Sequence, residues 1–200
     1  FVALDRDGAL AGARRIDERV AAGEDPGPLA GVPLAVKDLE DARGLPTTFG
    51  SALHADAPPA ESDSVEVARL RAAGCVIVGK TNTPEFGYKG QTDNPTFGAT
   101  RNPWDPEHSA GGSSGGSAAA LAAGMVPLAT GSDGGGSIRI PAALCGFSGI
   151  KATTGRVPNG GAHPPTANLL AVRGPMARRI RDSALALDVV RGAEATDIYA

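Results

Sequence analysis

With 200 residues, 42% of them hydrophobic and 20% charged, the chain can bury one sizeable core. A net charge of −3 gives no basis for partnership with nucleic acid or an anionic membrane surface. No apolar run approaches the roughly 18 residues that span a bilayer. The 28 glycines and 16 prolines are dispersed among apolar segments, which indicates many tight turns in a packed protein, not a low-complexity tail. Cys75 and Cys145 lie in apolar contexts and offer neither a disulfide framework nor zinc-ligand spacing. They read as buried thiols of a reducing compartment, so a cytoplasmic location is expected. The first residue is Phe1, not methionine, and a preceding segment is expected.

Taken in chain order, residues 9–22 mix Ala, Arg and Glu without breakers and predict a helix, with Ile16 and Val20 on one face. Residues 32–36 are a short apolar run that predicts a strand ending at Lys37-Asp38, and residues 42–59 read as loop. Asp63 and Glu66 have the spacing of a capping box opening a helix over 64–73, which stops at Gly74. Residues 75–78 predict a buried strand, and residues 81–104 a long loop holding Phe86, Tyr88, Phe97 and Trp104. A small-residue helix is expected at 117–123, a strand at 126–130 and a helix at 138–144. A strand at 147–151 follows, then irregular chain until Met176, and a last helix over 182–191. These alternations predict an α/β fold: a mixed central β-sheet covered by helices on both faces, with no internal repeat and no linker.

Two formal motif matches fail on context. Gly74 to Thr81 satisfies the phosphate-loop pattern GxxxxGK[ST], but its four middle residues, Cys-Val-Ile-Val, are a core strand that cannot turn its N–H groups to a phosphate. Lys80 then reads as a residue at a strand end. Gly111 to Gly115 satisfies GxSxG, yet Pro106 to Ala110 before it is poor strand material; His163 sits in a loop with nothing to orient an imidazole, and His54 and His108 are in polar loops too, so each histidine reads as a surface residue.

A third pattern is joint. Ser113 and Ser137 are 24 residues apart, each set in its own glycine cluster, and Lys37 directly follows an apolar run. A glycine run that leads into a helix near Ser137 can converge unpaired N–H groups on one point, to hold a phosphate or to stabilise an oxyanion. A serine hydroxyl is a weak nucleophile and needs a base, and a lysine serves only when burial lowers its pKa from about 10.4.

The block from Gly111 to Gly149 resembles the signature of the amidase signature family. So do Gly31 to Asp38 (GVPLAVKD), Gly79 to Glu85 (GKTNTPE), Gly98 to Trp104 (GATRNPW) and Lys151 to Val157 (KATTGRV). Two positions depart from the pattern: Gly134, where relatives carry Thr or another side chain, and Val172-Arg173, where relatives often carry Gln. The resemblance implies hydrolysis of an amide bond to carboxylate plus amine or ammonia through an acyl-enzyme on Ser137. Ser113, in a cis peptide, relays protons to Lys37 as base. By the same resemblance Gly134, Gly135, Gly136 and Ser137 form the oxyanion hole, Ser114, Asp133 and Arg139 support it, and residues 86–88 border the acyl pocket. It implies no metal and no cofactor, and a small-molecule amide as the substrate. Residues 1–200 are then one incomplete amidase signature domain lacking its C-terminal part, with a homodimer or a second chain as the partner that completes the fold. The alternatives are the amidase component of a tRNA-dependent glutamyl/aspartyl amidotransferase and, less well supported, a noncatalytic binding module on the same scaffold.

Overall fold

Three short apolar runs become parallel neighbours at the centre of the sheet. The computed structural model describes residues 1–160 and 170–200, so the loop that carries His163 lies outside the described residues. The strands of the main sheet are β1 (Ala3–Leu4), β2 (Pro33–Lys37), β3 (Val76–Thr81), β6 (Leu128–Asp133) and β7 (Val172–Ala177). Their order is β1-β3-β2-β6-β7, with β2 parallel to both β3 and β6 and antiparallel strands at the two edges. A separate two-stranded ribbon, β4 (Asp93–Asn94) with β5 (Gly98–Ala99), stands inside the stretch expected to be loop.

Five helices complete the described fold: α1 (Arg6–Ala21), α2 (Val65–Ala72), α3 (Gly115–Ala122), α4 (Arg139–Cys145) and α5 (Ile180–Val190). Alternation along the strands divides the core in two. Leu34, Val36, Ile77, Leu128 and Ala177 pack with Val67 and Leu70 of α2 and Ala186 and Val190 of α5. Ala35, Ala129 and Met176 pack on the opposite side with Ala118 and Leu121 of α3 and Ile138 and Cys145 at α4. The expected mixed sheet with helices on both faces is what forms. The strand at Val76–Thr81 likewise separates the glycines of the phosphate-loop pattern, and no strand precedes the GxSxG match.

Four expectations are corrected. Asp63 does not cap α2: the N-cap is Ser64, with no side-chain hydrogen bond. The Asp63 carboxylate instead accepts from Arg71 at 2.7 and 2.9 Å and from the backbone N–H of Arg43 at 2.7 Å. Glu66 turns into the interior, fully buried, so the capping box never closes. Residues 147–151 are irregular, because Phe147 folds against the α3–α4 core and Lys151 gives its ammonium to three carbonyls. Finally, β7 lies in chain expected to be irregular, and β1 was not foreseen. Pro175 disguises β7, since proline removes a ladder donor, but a sheet edge tolerates it.

Candidate active site

The site lies at the carboxyl ends of the parallel strands β2 and β6, the region where open α/β sheets bind ligands. Lys37 ends β2, Ser132 and Asp133 end β6, and Ser113 and Ser114 lead into α3. The Gly112–Ser113 peptide bond is cis. Lys37 is fully buried, and its Nζ lies 2.8 Å from Ser113 Oγ, 2.8 Å from Ser114 Oγ and 2.9 Å from Ser132 Oγ. Its backbone N–H donates to Thr130 Oγ1 at 2.9 Å, which locks the strand end to β6.

Burial draws the Lys37 pKa down from 10.5 to about 7; the fields of Glu40 and Asp133 oppose this, and Arg173 adds to it. An ammonium can donate to all three hydroxyls, whereas a neutral amine donates to two and accepts from the third. The Ser114 hydroxyl accepts from the Ser132 N–H at 3.3 Å and donates to the Ser132 carbonyl at 3.4 Å, so its proton is committed. Ser113 and Ser132 are left to turn a proton towards the neutral amine. Both line the cleft.

That cleft has a volume of about 740 Å³ and is walled by Phe49, Phe86, Tyr88 and Ile140 as well as by Ser113, Ser132, Gly134, Gly135 and Ser137. Phe86 stacks on Phe49 with ring centroids 6.1 Å apart. Ser137 is half-buried, and its carbonyl accepts from the Ser114 N–H at 3.2 Å, which ties the two serine loops together. No hydrogen bond joins the Ser137 hydroxyl to that of Ser113. The chain therefore holds Lys37, Ser113, Ser114 and Ser132 in direct contact, with Ser137 beside them on the same wall.

The glycine turn is shaped by Asp133. Its carboxylate accepts the N–H of Gly136 at 2.8 Å, of Ile138 at 3.3 Å and of Arg139 at 3.2 Å. It also pairs at two points with the Arg139 guanidinium, each 2.9 Å long. Burial pushes this carboxyl up, but the Arg139 side chain and the backbone donors outweigh it and hold the group well below the usual carboxylate range. Lys151 reaches the carbonyls of Asp133 at 2.8 Å and Gly134 at 2.9 Å from the other side. Gly136 adopts φ +130°, and a Cβ there would come within 2.8 Å of Ile140, so glycine is required. Of the four donors expected in the oxyanion hole, the Gly136 N–H is thus directed at Asp133. The N–H groups of Gly134, Gly135 and Ser137 have no acceptor among the described residues. Gly134 has room for a side chain, the nearest atoms to a Cβ being those of Ala171 at 3.8 Å.

Ser132, absent from the expected site residues, is in direct contact with Lys37. The signal was present in its alternation with Thr130, which puts two hydroxyls on one face of a strand beside Lys37. His108 pairs with Asp105 on the surface, and His54 packs edge-on against Phe49 and Phe86. Among the described residues no group of three or more His, Cys, Asp or Glu side chains is placed to hold a metal ion, and no helix is long and apolar enough to cross a membrane.

The amidase family model matches residues 1–199. An acylamidase of Rhodococcus erythropolis is 50% identical over 197 residues, which are 98% of this chain and 41% of that protein. A glutamyl-tRNA(Gln) amidotransferase subunit of Roseiflexus castenholzii is 50% identical over 98% of this chain and 40% of its own length. Among solved structures, a bacterial aryl acylamidase of the amidase signature family superposes with a TM-score of 0.92 at 39% identity, covering 99% of this chain and 41% of that one. The chain thus spans about two fifths of the length of the relatives it matches. Fold and sequence agree, and the chain belongs to the amidase signature family.

Proposed function

We propose that this chain carries the catalytic half of an amidohydrolase that cleaves a small-molecule carboxamide to a carboxylate and an amine or ammonia. One observation carries this reading: a fully buried lysine with a pKa of about 7 hydrogen-bonds a serine at 2.8 Å, on a cleft that also presents Ser137 and unpaired glycine N–H groups. Ser137 Oγ attacks the amide carbonyl carbon and passes its proton to Ser113, which passes its own to neutral Lys37. The oxyanion that forms takes hydrogen bonds from the N–H groups of Gly134, Gly135 and Ser137. The C–N bond then breaks as the proton returns through Ser113 to the leaving nitrogen. Water, deprotonated by the same relay, attacks the acyl-enzyme ester and releases the carboxylate and Ser137.

The Ser113–Ser137 link is made when substrate orders the nucleophile, since catalytic hydrogen bonds tighten in the Michaelis complex. Asp133, Arg139 and Lys151 hold the turn and touch no reacting atom. The test uses the protein at its full natural length, with no partner added. Hydrolysis of simple aryl and aliphatic amides, with a fluorophosphonate adduct mapped to Ser137, is the expected result. An absence of both turnover and adduct overturns the reading. Turnover that appears only with partner proteins present places the chain instead in the amidotransferase role that one relative's name describes.

A further inference from the structure

The cleft wall carries a guanidinium for which the proposed chemistry has no use. Arg173 lies in β7, directly opposite Ser132 of β6 in the antiparallel register. Opposed residues in such a pair project to the same face of the sheet. Arg173 therefore stands one strand away from a hydroxyl that holds Lys37, and its side chain is 20% exposed to the cleft. Nη1 is buried without a hydrogen-bond acceptor, its nearest carboxylate being Glu40 Oε2 at 3.6 Å. For the buried Nη1 the lack of an acceptor among the described residues is unusual, because buried donors are nearly always satisfied.

The charge behind Arg173 is balanced by Glu40. Glu66 adds little negative charge, because burial first and the neighbouring Glu40 second hold its carboxyl well above the ordinary value. Nη1 of the guanidinium is the atom nearest Glu40, and the same side chain lines the cleft. Lys89, the other cationic side chain on the wall, is already paired with Asp93 at 2.8 Å. A planar donor edge held by a carboxylate at its back fits a second planar carboxylate in front.

We infer that Arg173 is a specificity-determining residue that selects amides whose acyl part ends in a carboxylate, in effect the monoamides of dicarboxylic acids. The inference rests on the amidohydrolase reading for its substrate, but its test has a binding arm that does not. In the full-length protein, kcat/KM for succinamate, glutaramate and adipamate is compared with that for the neutral alkyl amides of equal length. At least one carboxylate member is expected to be favoured by about 10-fold or more over its neutral partner, with the ratio falling towards one in Arg173→Gln and partly restored in Arg173→Lys. The same pairs are titrated calorimetrically into the Ser137→Ala protein, with and without Arg173→Gln, which reads recognition without turnover.

Equal loss for charged and neutral amides in Arg173→Gln, or equal binding of the two by the Ser137→Ala protein, overturns the inference. Should Arg173→Gln fail to fold, the wild-type ratio decides, and a preference for the neutral member sinks it. Carboxylate-selective binding without turnover in the wild type would retain the role of Arg173 and discard the amidohydrolase reading.

Discussion

Two lysines are buried on adjacent strands of the same sheet, and they have opposite surroundings. Lys37, at the end of β2, faces Ser113, Ser114 and Ser132, with no carboxylate in contact among the described residues. Lys80, in β3 and opposite Val36 in the register, lies 3.2 Å from Asp38 and also donates to Thr47 Oγ1 at 2.8 Å and the Pro46 carbonyl at 3.0 Å. Asp38 is held in turn by the backbone N–H and hydroxyl of Thr48. Burial lowers both lysines, but Asp38 pulls Lys80 back, whereas Lys37 falls to about 7. Burial by itself makes a lysine costly to keep charged, and the counter-charge decides whether it becomes a base or a fixed ion pair.

The largest expected contrast is in turnover. Lys37→Ala and Ser137→Ala should each lower kcat by roughly 10⁴-fold or more, in line with losses of members of a relay acting as a unit, measured by release of carboxylate from a good amide. Retention of full activity by Lys37→Ala at neutral pH would remove Lys37 from the mechanism.

Next comes stability. Asp38→Ala leaves Lys80 buried without the carboxylate it contacts and should cost about 3–5 kcal/mol, read from denaturant midpoints. A loss well below 1 kcal/mol would show that the pair does not hold this part of the sheet.

The pH dependence separates the two lysines further. Activity should rise through about pH 7 as the Lys37 ammonium releases its proton. Introducing a carboxylate by Ser132→Asp should move that midpoint up by roughly 1–3 units, making the Lys37 site resemble the Lys80 one. A midpoint that does not move would break the comparison. The same group also affects folding. Because its pKa is lower folded than unfolded, the unfolded chain binds the extra proton between about 7 and 10.5, so the Lys37 contribution to stability increases with pH across that window. Lys37→Met should flatten this part of the stability profile.

The smallest effect is expected from Ser132→Ala, which removes one of three hydroxyls around Lys37. About 1 kcal/mol of stability should be lost, with a modest change in rate, because Ser113 retains its contact.

Much of this arrangement was legible in the sequence. The helices announced themselves by runs closed by glycine, the three parallel strands by short apolar runs, and Lys37 and the two glycine-set serines stood out as a joint pattern. What was not legible is instructive. Pro175 and Gly174 make β7 look irregular, yet the strand pairs with β6 along its whole length. Asp63 had the right spacing for a cap, yet Arg71 offered a two-point partner that no local rule weighs against a backbone N–H. Ser132 was passed over because its importance comes from a lysine 95 residues away. Arg173 appeared only as an unusual residue in the pattern, and the burial of its Nη1 without an acceptor among the described residues is a property of three-dimensional placement.

The Asp133 carboxylate has one more consequence. By taking the amides of Gly136, Ile138 and Arg139 for itself, it has already filled the N-terminus of α4 with an anion of the protein's own. A phosphate approaching that helix end meets a resident negative charge in place of an empty cradle. In the proposed reaction, partial charge growing on a carbonyl oxygen beside the N–H groups of Gly134, Gly135 and Ser137 would still find donors. On that reading the turn discriminates between an ion that arrives fully charged and one that is created in place, and inorganic phosphate should be a poor competitor for this cleft.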